Sequence, residues 1–184
     1  LISLQANAMV KISHSTFRNI MKPTIKILME NIIQLTNVTF TKCVCPVSII
    51  VRDLKLHKVE VLRSNFEHCT CAAAGGSLGI ILIDKIDSSN RTYLECNDIS
   101  NYKTSQPASI YLNDTSFKNC TSMSSGGAFA ITQSSFVVSR QVRRFSTCLF
   151  LINCYFYKNR SNKQGGGVHI LGIRIVYVVH SKFV

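Results

Sequence analysis

Two apolar residues separated by one other residue recur before an aromatic residue along the whole chain. They lie seven and five positions before the aromatic residue, as Val10 and Ile12 do before Phe17. Alternation with a period of two is typical of a strand that buries one of its faces. The other copies are Ile33 and Leu35 before Phe40, Val59 and Val61 before Phe66, Ile110 and Leu112 before Phe117, Phe150 and Ile152 before Tyr157, and Val176 and Val178 before Phe183.

A second apolar pair follows a glycine pair or a proline. Leu78 and Ile80, for example, come shortly after Gly75 and Gly76. Glycine and proline both mark sharp changes of chain direction between strands. Each unit is therefore predicted to consist of a strand, a bend, an aromatic-bearing strand, a second bend and a further strand. The equivalent pairs are Ile25 and Ile27, Val47 and Ile49, Phe129 and Ile131, and Val168 and Ile170.

The spacing of these units predicts the fold. The aromatic residues are separated by 23, 26, 51, 40 and 26 residues, and a period of roughly 20 to 50 residues indicates a solenoid. Short strands without helical periodicity favour an all-β solenoid of about seven coils, stacked about 4.8 Å apart by parallel pairing. The 51-residue interval predicts one degraded unit, with Leu94, Ile99 and Asn101 as its candidate residues. The 40-residue interval predicts an inserted loop at Thr132–Ser146, in a single domain at residues 1–184 that we expect to belong to a longer repeat protein.

A solenoid gives each repeated residue a structural role. We expect the aromatic residues to fill a corner of each coil and the glycines to permit positive φ at a bend. Asn19, Asn119 and Asn159 each lie two residues after an aromatic residue, where asparagine tolerates left-handed geometry and can hydrogen-bond the next coil. The inward columns are predicted to contain Ile12, Leu35, Val61, Leu112, Ile152 and Val178, with Phe17, Phe40, Phe66 and Phe117 stacked beside them.

Two segments carry a more specific pattern. SFKNCTSMSSGGAFAI (residues 116–131) places an aromatic residue, Asn119, Cys120 and a glycine pair in a fixed order, and NFEHCTCAAAGGSLGI (65–80) repeats it with His68 in place of asparagine. This pattern resembles the repeats of polymorphic outer-membrane-type proteins and, more broadly, the pectin-lyase-like proteins. The resemblance implies a right-handed parallel β-helix in a surface or secreted protein.

The charge of the chain suggests a partner. A total of 21 Lys and Arg against nine Asp and Glu gives a net charge of +12, which suits a polyanion such as an acidic glycan and equally suits a solvated basic surface. Loops that leave a solenoid often carry binding sites, so Arg140, Arg143 and Arg144 on the inserted loop are our candidate binding residues. A solvated loop without a ligand is the alternative. We expect no nucleic-acid partner, because no recognition element accompanies the charge.

Eight cysteines are a high and even number for this chain. Cys43 and Cys69 lie three residues after their aromatic residues, and Cys45 and Cys71 lie five residues after theirs. Coil stacking would place the members of each equivalent pair within the Cα separation that a disulfide accepts. Three interpretations stay open for these residues: buried free thiols, disulfides between coils, and a four-thiolate zinc site.

Five N-glycosylation sequons begin at asparagines. Asn119 and Asn159 are also expected to face the neighbouring coil, so Asn90, Asn37 and Asn113 are the better acceptor candidates. Together with the cysteines, the sequons favour an oxidising setting, either extracellular or at the cell surface. No apolar run reaches the about 18 residues that a membrane-spanning helix needs.

The carboxylates and histidines form no recognisable catalytic constellation. Enzymes of the pectin-lyase-like fold need acidic side chains grouped on one exposed sheet, and here only Asp84 and Asp87 approach a pair. We therefore expect no catalytic residue, metal or cofactor, and predict a structural or adhesive extracellular module that displays loops for binding. Its expected partners are an acidic glycan or another surface protein, with end-to-end self-association as a further possibility. The alternative function is a polysaccharide lyase or hydrolase acting on acidic glycans.

Overall fold

The computed structural model describes residues 2–6, 9–23, 25–29, 32–51, 58–83, 109–134 and 145–184. These residues form 21 strands joined by bends and short turns, and no helix occurs among them. Each circuit of the chain, which we call a rung, contributes one strand to each of three sheets, and rungs 3 to 5 add a short fourth strand.

The strands follow one another in the same order in every rung. Rung 1 contains β1 (Ile2–Ala6), β2 (Val10–Ser13) and β3 (Thr16–Arg18), and rung 2 contains β4 (Ile25–Met29), β5 (Ile32–Thr36) and β6 (Thr39–Thr41). Rung 3 contains β7 (Val47–Val51), β8 (Lys58–Leu62), β9 (Asn65–Glu67) and β10 (Thr70–Cys71), and rung 4 contains β11 (Leu78–Ile83), β12 (Ser109–Asn113), β13 (Ser116–Lys118) and β14 (Thr121–Ser122). Rung 5 contains β15 (Phe129–Ser134), β16 (Phe145–Ile152), β17 (Tyr155–Tyr157) and β18 (Arg160–Ser161), and rung 6 contains β19 (Val168–Ile170), β20 (Ile173–Val179) and β21 (Lys182–Phe183).

Every pairing between the described strands is parallel and joins equivalent strands of adjacent rungs. Sheet 1 contains β1, β4, β7, β11, β15 and β19; sheet 2 contains β2, β5, β8, β12, β16 and β20; sheet 3 contains β3, β6, β9, β13, β17 and β21; and sheet 4 contains β10, β14 and β18. Because equivalent strands pair in register, the apolar alternation of each rung lies directly over that of the rung before it. The chain is an all-β parallel β-helix, as the periodicity predicted.

The 51-residue interval does not separate two rungs by an extra coil. Val59 of β8 pairs directly with Ile110 of β12, and Phe66 of β9 pairs directly with Phe117 of β13. The described strands therefore form six rungs, where the sequence predicted about seven coils. The candidate residues Leu94, Ile99 and Asn101 lie outside the described residues.

The predicted range of the inserted loop, Thr132–Ser146, overlaps the strands on both sides of it. β15 continues to Ser134 and β16 begins at Phe145, so residues 135–144, which are not described, separate the two strands. Polar side chains do not interrupt β15, because parallel pairing uses the backbone: Thr132 pairs with Ile81 of the preceding rung.

The predicted inward columns are present. Sheet 2 carries an aliphatic column and sheet 3 an aromatic one, whose successive ring centroids lie 4.6 to 5.1 Å apart. Ile12 and Phe17 of rung 1 are partly buried against this core. Val178 lies in the register of the aliphatic column but is 51% exposed, and it belongs to the last of the described rungs. The fully buried members that the sequence predicted are Leu35, Val61, Leu112, Phe40, Phe66 and Phe117.

Rung 5 departs from the predicted alignment by one residue. Phe156 pairs with Phe117 and stacks on its ring, so Tyr157 is not in the aromatic column. Leu151 therefore occupies the aliphatic column and is buried, whereas Ile152 is only partly buried and faces outward. The segment YFY offers three aromatic residues, and phenylalanine is the one that can enter the core without burying a hydroxyl group.

Candidate functional site

Rungs 1 to 5 each turn two corners, one on each side of sheet 3, through residues with positive φ, and rung 6 has one such corner. Asn19 and Asn119 have φ of 54° and 51° at the corner after sheet 3, and His68 takes the same position with φ of 52°. In rung 5 this corner is Lys158, so the prediction that Asn159 occupies it is wrong by one residue. The corner between sheets 2 and 3 is formed by His14, Asn37, Arg63, Asp114, Asn153 and His180.

The glycine pairs meet two different requirements of the stack. The first glycine of a pair has positive φ, as at Gly126, where φ is 66°. The second stands against backbone of the next rung: a Cβ at Gly127 would lie 2.0 Å from the carbonyl oxygen of Gly166. These glycines are therefore structural, as the sequence indicated.

Three buried thiols lie in a column, three residues after the aromatic residues. The Sγ atom of Cys43 donates to the carbonyl oxygen of Phe17 in the preceding rung at 3.4 Å, and Cys69 and Cys120 make the equivalent bonds. The pKa of Cys69 is raised, mainly by the hydrogen bond with the Cys120 thiol and secondly by burial. Each of these buried thiols is hydrogen-bonded to the backbone of the preceding rung, so we interpret this thiol column (Cys43, Cys69 and Cys120) as structural.

Asn159 continues the thiol column in rung 5. Its Nδ2 atom donates to the carbonyl oxygen of Phe117 at 3.0 Å, and its Oδ1 atom accepts from the backbone N–H of Cys120 at 2.9 Å. The predicted hydrogen bonding of Asn159 to the neighbouring coil is confirmed, although it occurs at the cysteine position and not at the left-handed corner.

A disulfide joins Cys45 to Cys71 across adjacent rungs, with their Cα atoms 4.6 Å apart. Cys43 and Cys69, the other candidate pair, are free and fully buried. The zinc hypothesis needs four thiolates, and the disulfide leaves only two of these sulfurs as thiols. Cys148, on β16, is also disulfide-bonded.

A basic and aromatic surface lies on the outer side of sheet 3. The Tyr155 and Tyr157 ring centroids are 5.9 Å apart, with ring planes at 11°. The Nζ atom of Lys118 lies 6.0 Å from the Tyr155 centroid, and that of Lys158 lies 4.9 Å from the Tyr157 centroid. Lys182, in rung 6, is the register partner of Tyr155. We call these five residues the tyrosine face.

Positive charge dominates the tyrosine face. Lys158 and Lys182 are exposed and Lys118 is partly exposed, and a hydrogen bond with the Tyr157 side chain raises the pKa of Lys158. Glu67, the register neighbour of Lys118, is the only carboxylate on the described strands of sheet 3. Ammonium groups and phenol hydroxyls held on a sheet can bind an anionic group by charge-assisted hydrogen bonds.

Reasoning from the sequence missed this surface, although the chain carries a signal for it. Residues 1–114 contain twelve Lys and Arg and all nine Asp and Glu, whereas residues 115–184 contain nine Lys and Arg and no acidic residue. Such asymmetry suggests a surface for a partner of opposite charge. The surface was missed because Tyr157, one of its residues, was predicted to lie in the core.

Two of the predicted glycosylation acceptors lie in described strands or corners. Asn37 is at a left-handed corner, with its Nδ2 atom 3.0 Å from Nε2 of His14. Asn113 lies on β12 and donates to the carboxylate of Asp114 at 3.0 Å. Both asparagines are partly exposed, and their glycosylation stays a prediction. The predicted site residues outside the described part of the chain are Arg140, Arg143, Arg144 and Asn90.

The carboxylates with described surroundings are engaged in surface contacts. Glu60 forms an ion pair with Lys58 at 2.8 Å and accepts from the Gln34 side chain at 3.0 Å. Asp114 accepts from two asparagine side chains at its corner. Across the described ranges, no group of three or more His, Cys, Asp or Glu side chains is arranged to hold a metal ion.

Comparison with known proteins assigns no family. No protein-family model matches the chain, and searches of curated proteins and of solved structures find no significant match. Within the described residues, no helix is both long and apolar enough to cross a membrane. The parallel β-helix is shown, and the kinship with polymorphic outer-membrane-type or pectin-lyase-like proteins stays a resemblance.

Proposed function

We propose that this chain is a non-catalytic structural or adhesive module of an extracellular or cell-surface protein. Its β-helix serves as a rigid support that presents a basic surface to an anionic partner, for which an acidic glycan is the first candidate. The observation that carries the proposal is the tyrosine face, where cationic and aromatic side chains lie on a sheet whose inner side belongs to the core.

Rigidity is supported by backbone hydrogen bonds that continue through the corners. The N–H of His68 donates to the carbonyl oxygen of Lys118 at 2.9 Å, and the N–H of Lys158 donates to that of Val184 at 2.8 Å. These bonds attach the corners beside the tyrosine face to the next rung. A surface that is ordered before binding loses less conformational entropy when the partner is bound.

The extracellular setting is supported by the disulfide between Cys45 and Cys71, because such bonds persist mainly in oxidising compartments. Acidic glycans are abundant polyanions in that setting. The alternative function, an enzyme acting on acidic glycans, has no observation in its favour among the described residues.

Retention of the native chain on an immobilised acidic glycan tests the proposal. We expect retention at low salt and elution as NaCl rises, because the Debye length falls from about 30 Å at 0.01 M to about 10 Å at 0.1 M. A neutral polysaccharide on the same support is the control. Absence of retention at low salt would contradict the proposal, and shortening of the glycan during incubation would favour the enzyme alternative.

A further inference from the structure

We infer that the tyrosine face is a binding site for a sulfated polysaccharide. The inference rests on the proposed function and adds to it the residues of the site and the chemistry of the ligand. It begins with the arrangement of the charges on three consecutive rungs.

The lysines surround the two tyrosines in a fixed arrangement. Lys118 lies in rung 4, Tyr155, Tyr157 and Lys158 lie in rung 5, and Lys182 lies in rung 6. Lys118 and Lys182 are therefore two rung spacings apart along the stack, which is roughly 10 Å. This distance allows separate anionic groups on one polymer chain to reach the two ammonium groups.

The aromatic rings limit the motion of two of the ammonium groups. Lys118 and Lys158 each hold Nζ near the centroid of a tyrosine ring, at 6.0 and 4.9 Å. Attraction between a cation and an aromatic face favours these positions over the many other rotamers that a lysine can adopt. The cost of ordering long side chains on binding is correspondingly smaller.

The chemistry of the face matches a sulfate ester on a sugar. A sulfate group carries a full negative charge and offers several acceptor oxygens, so it can accept from an ammonium group and from a phenol hydroxyl together. Tyr155 and Tyr157 are partly exposed, and each presents an apolar ring with a polar tip to a sugar that has both apolar and hydroxyl-bearing surfaces. A nucleic acid would be attracted by the same charges, but the disulfide between rungs favours an extracellular ligand.

Glu67 allows a test in which binding is expected to become stronger. As the register neighbour of Lys118, its carboxylate repels an anionic ligand and weakens the attraction that Lys118 provides. The variant E67Q removes this repulsion without removing a lysine or a tyrosine, so it is expected to strengthen binding.

The experiment measures binding of the native chain and its variants to heparin as a sulfated probe. Hyaluronate is the carboxylated arm, dextran the neutral arm, and anionic phospholipid vesicles the lipid arm. The triple variant K118Q/K158Q/K182Q is expected to weaken heparin binding by about tenfold or more, and Y155S/Y157S is expected to weaken it as well. The matched control K11Q/K26Q/K42Q removes the same charge, and Lys42 holds in rung 2 the left-handed corner that Lys158 holds in rung 5.

The outcomes separate the two proposals. Failure of the native chain to bind any acidic glycan would overturn the proposed function. Binding by the native chain that falls equally in the triple variant and in the matched control would overturn only the site. Equal binding to heparin and hyaluronate, or stronger binding to the vesicles, would overturn the sulfated ligand class. Loss of binding in R140S/R143S/R144S with no loss in the triple variant would assign the site to the inserted loop instead.

Discussion

Gly127 and Gly166 hold the same position in adjacent rungs but meet different surroundings. A Cβ at Gly127 would lie 2.0 and 2.3 Å from the carbonyl oxygens of Gly166 and Arg160, whereas a Cβ at Gly166 would meet nothing closer than the Asn159 carbonyl oxygen at 3.4 Å. Neither glycine has positive φ. Glycine is therefore necessary at Gly127 because the backbone of the next rung leaves no room for a Cβ atom, and not because of its backbone conformation.

We expect G127A to lower the free energy of unfolding by about 1–3 kcal/mol or more, because the atoms in its way are backbone atoms that cannot rotate aside. G166A is expected to change stability by less than about 1 kcal/mol, since it also reduces the entropy of the unfolded chain. Denaturant unfolding of the two variants measures both effects. Equal losses in G127A and G166A would show that the second glycine is not needed for close stacking of rungs.

At the scale of elements, a short hydrogen-bonding side chain recurs in rungs 3 to 6 where a strand of sheet 2 passes into sheet 3. Thr115, Cys154 and Ser181 each donate to the carbonyl oxygen two residues earlier and to a carbonyl oxygen of the preceding rung. Ser64 makes the first of these bonds. Cys154 is the one thiol among these four residues, and burial raises its pKa to about 11 from the ordinary value of 9.0.

This pKa makes stability depend on pH in the alkaline range. Below about pH 9 the Cys154 thiol is neutral in both states, and between about pH 9 and 11 only the unfolded chain loses its proton. The free energy of unfolding should therefore fall over this window by about 1–3 kcal/mol. C154S keeps a hydrogen-bonding side chain, as Ser181 does in the next rung, and should show a shallower decline. If the free energy of unfolding of C154S depended on pH as that of the native chain does, the raised pKa of Cys154 would be contradicted.

At the scale of the whole molecule, stability is the sum of contacts between neighbouring rungs. The disulfide between Cys45 and Cys71 bridges rungs 2 and 3 and closes a chain segment with a sequence separation of 26. Val176, Val178 and Phe183, whose register is inward, are 41 to 51% exposed in rung 6. The predicted end-to-end association of the chain stays a prediction, and these residues are where it would be tested.

Replacing both Cys45 and Cys71 by serine should lower the free energy of unfolding by about 2–4 kcal/mol, because the open segment gains conformational freedom when unfolded. Thermal unfolding of this variant beside the native protein measures the change. Peptide mapping should recover Cys45 linked to Cys71, with Cys43, Cys69, Cys120 and Cys154 alkylated only after denaturation. A recovered link between Cys43 and Cys69 would contradict the assignment of Cys45 and Cys71 as the bridged pair, although both pairs fit the same register of rungs 2 and 3.

The candidate site was less predictable than the fold. Its tyrosines belong to a segment of three consecutive aromatic residues, and the period-two pattern alone does not say which of them faces inward. Its lysines come from positions 118, 158 and 182, which are adjacent only because rungs 4, 5 and 6 stack. The acid-free composition of residues 115–184 indicated the sign of the partner's charge, but no local pattern indicated the place.

The amino-acid sequence by itself determined the strands, the glycine bends and the left-handed corners at Asn19, Asn119 and His68, because each depends on the geometry of a few neighbouring residues. Only the tertiary structure decided that Phe156 and not Tyr157 enters the core, that rungs 3 and 4 are adjacent, and that Cys45 and Cys71 are the bridged pair. The first two depend on the register of one rung on the next, and the third on side-chain contacts, because the Cys43 and Cys69 thiols hydrogen-bond to backbone carbonyl oxygens instead. Register is set by how side chains far apart in the chain pack together, and a shift of one residue exchanges the inward and outward faces of a strand.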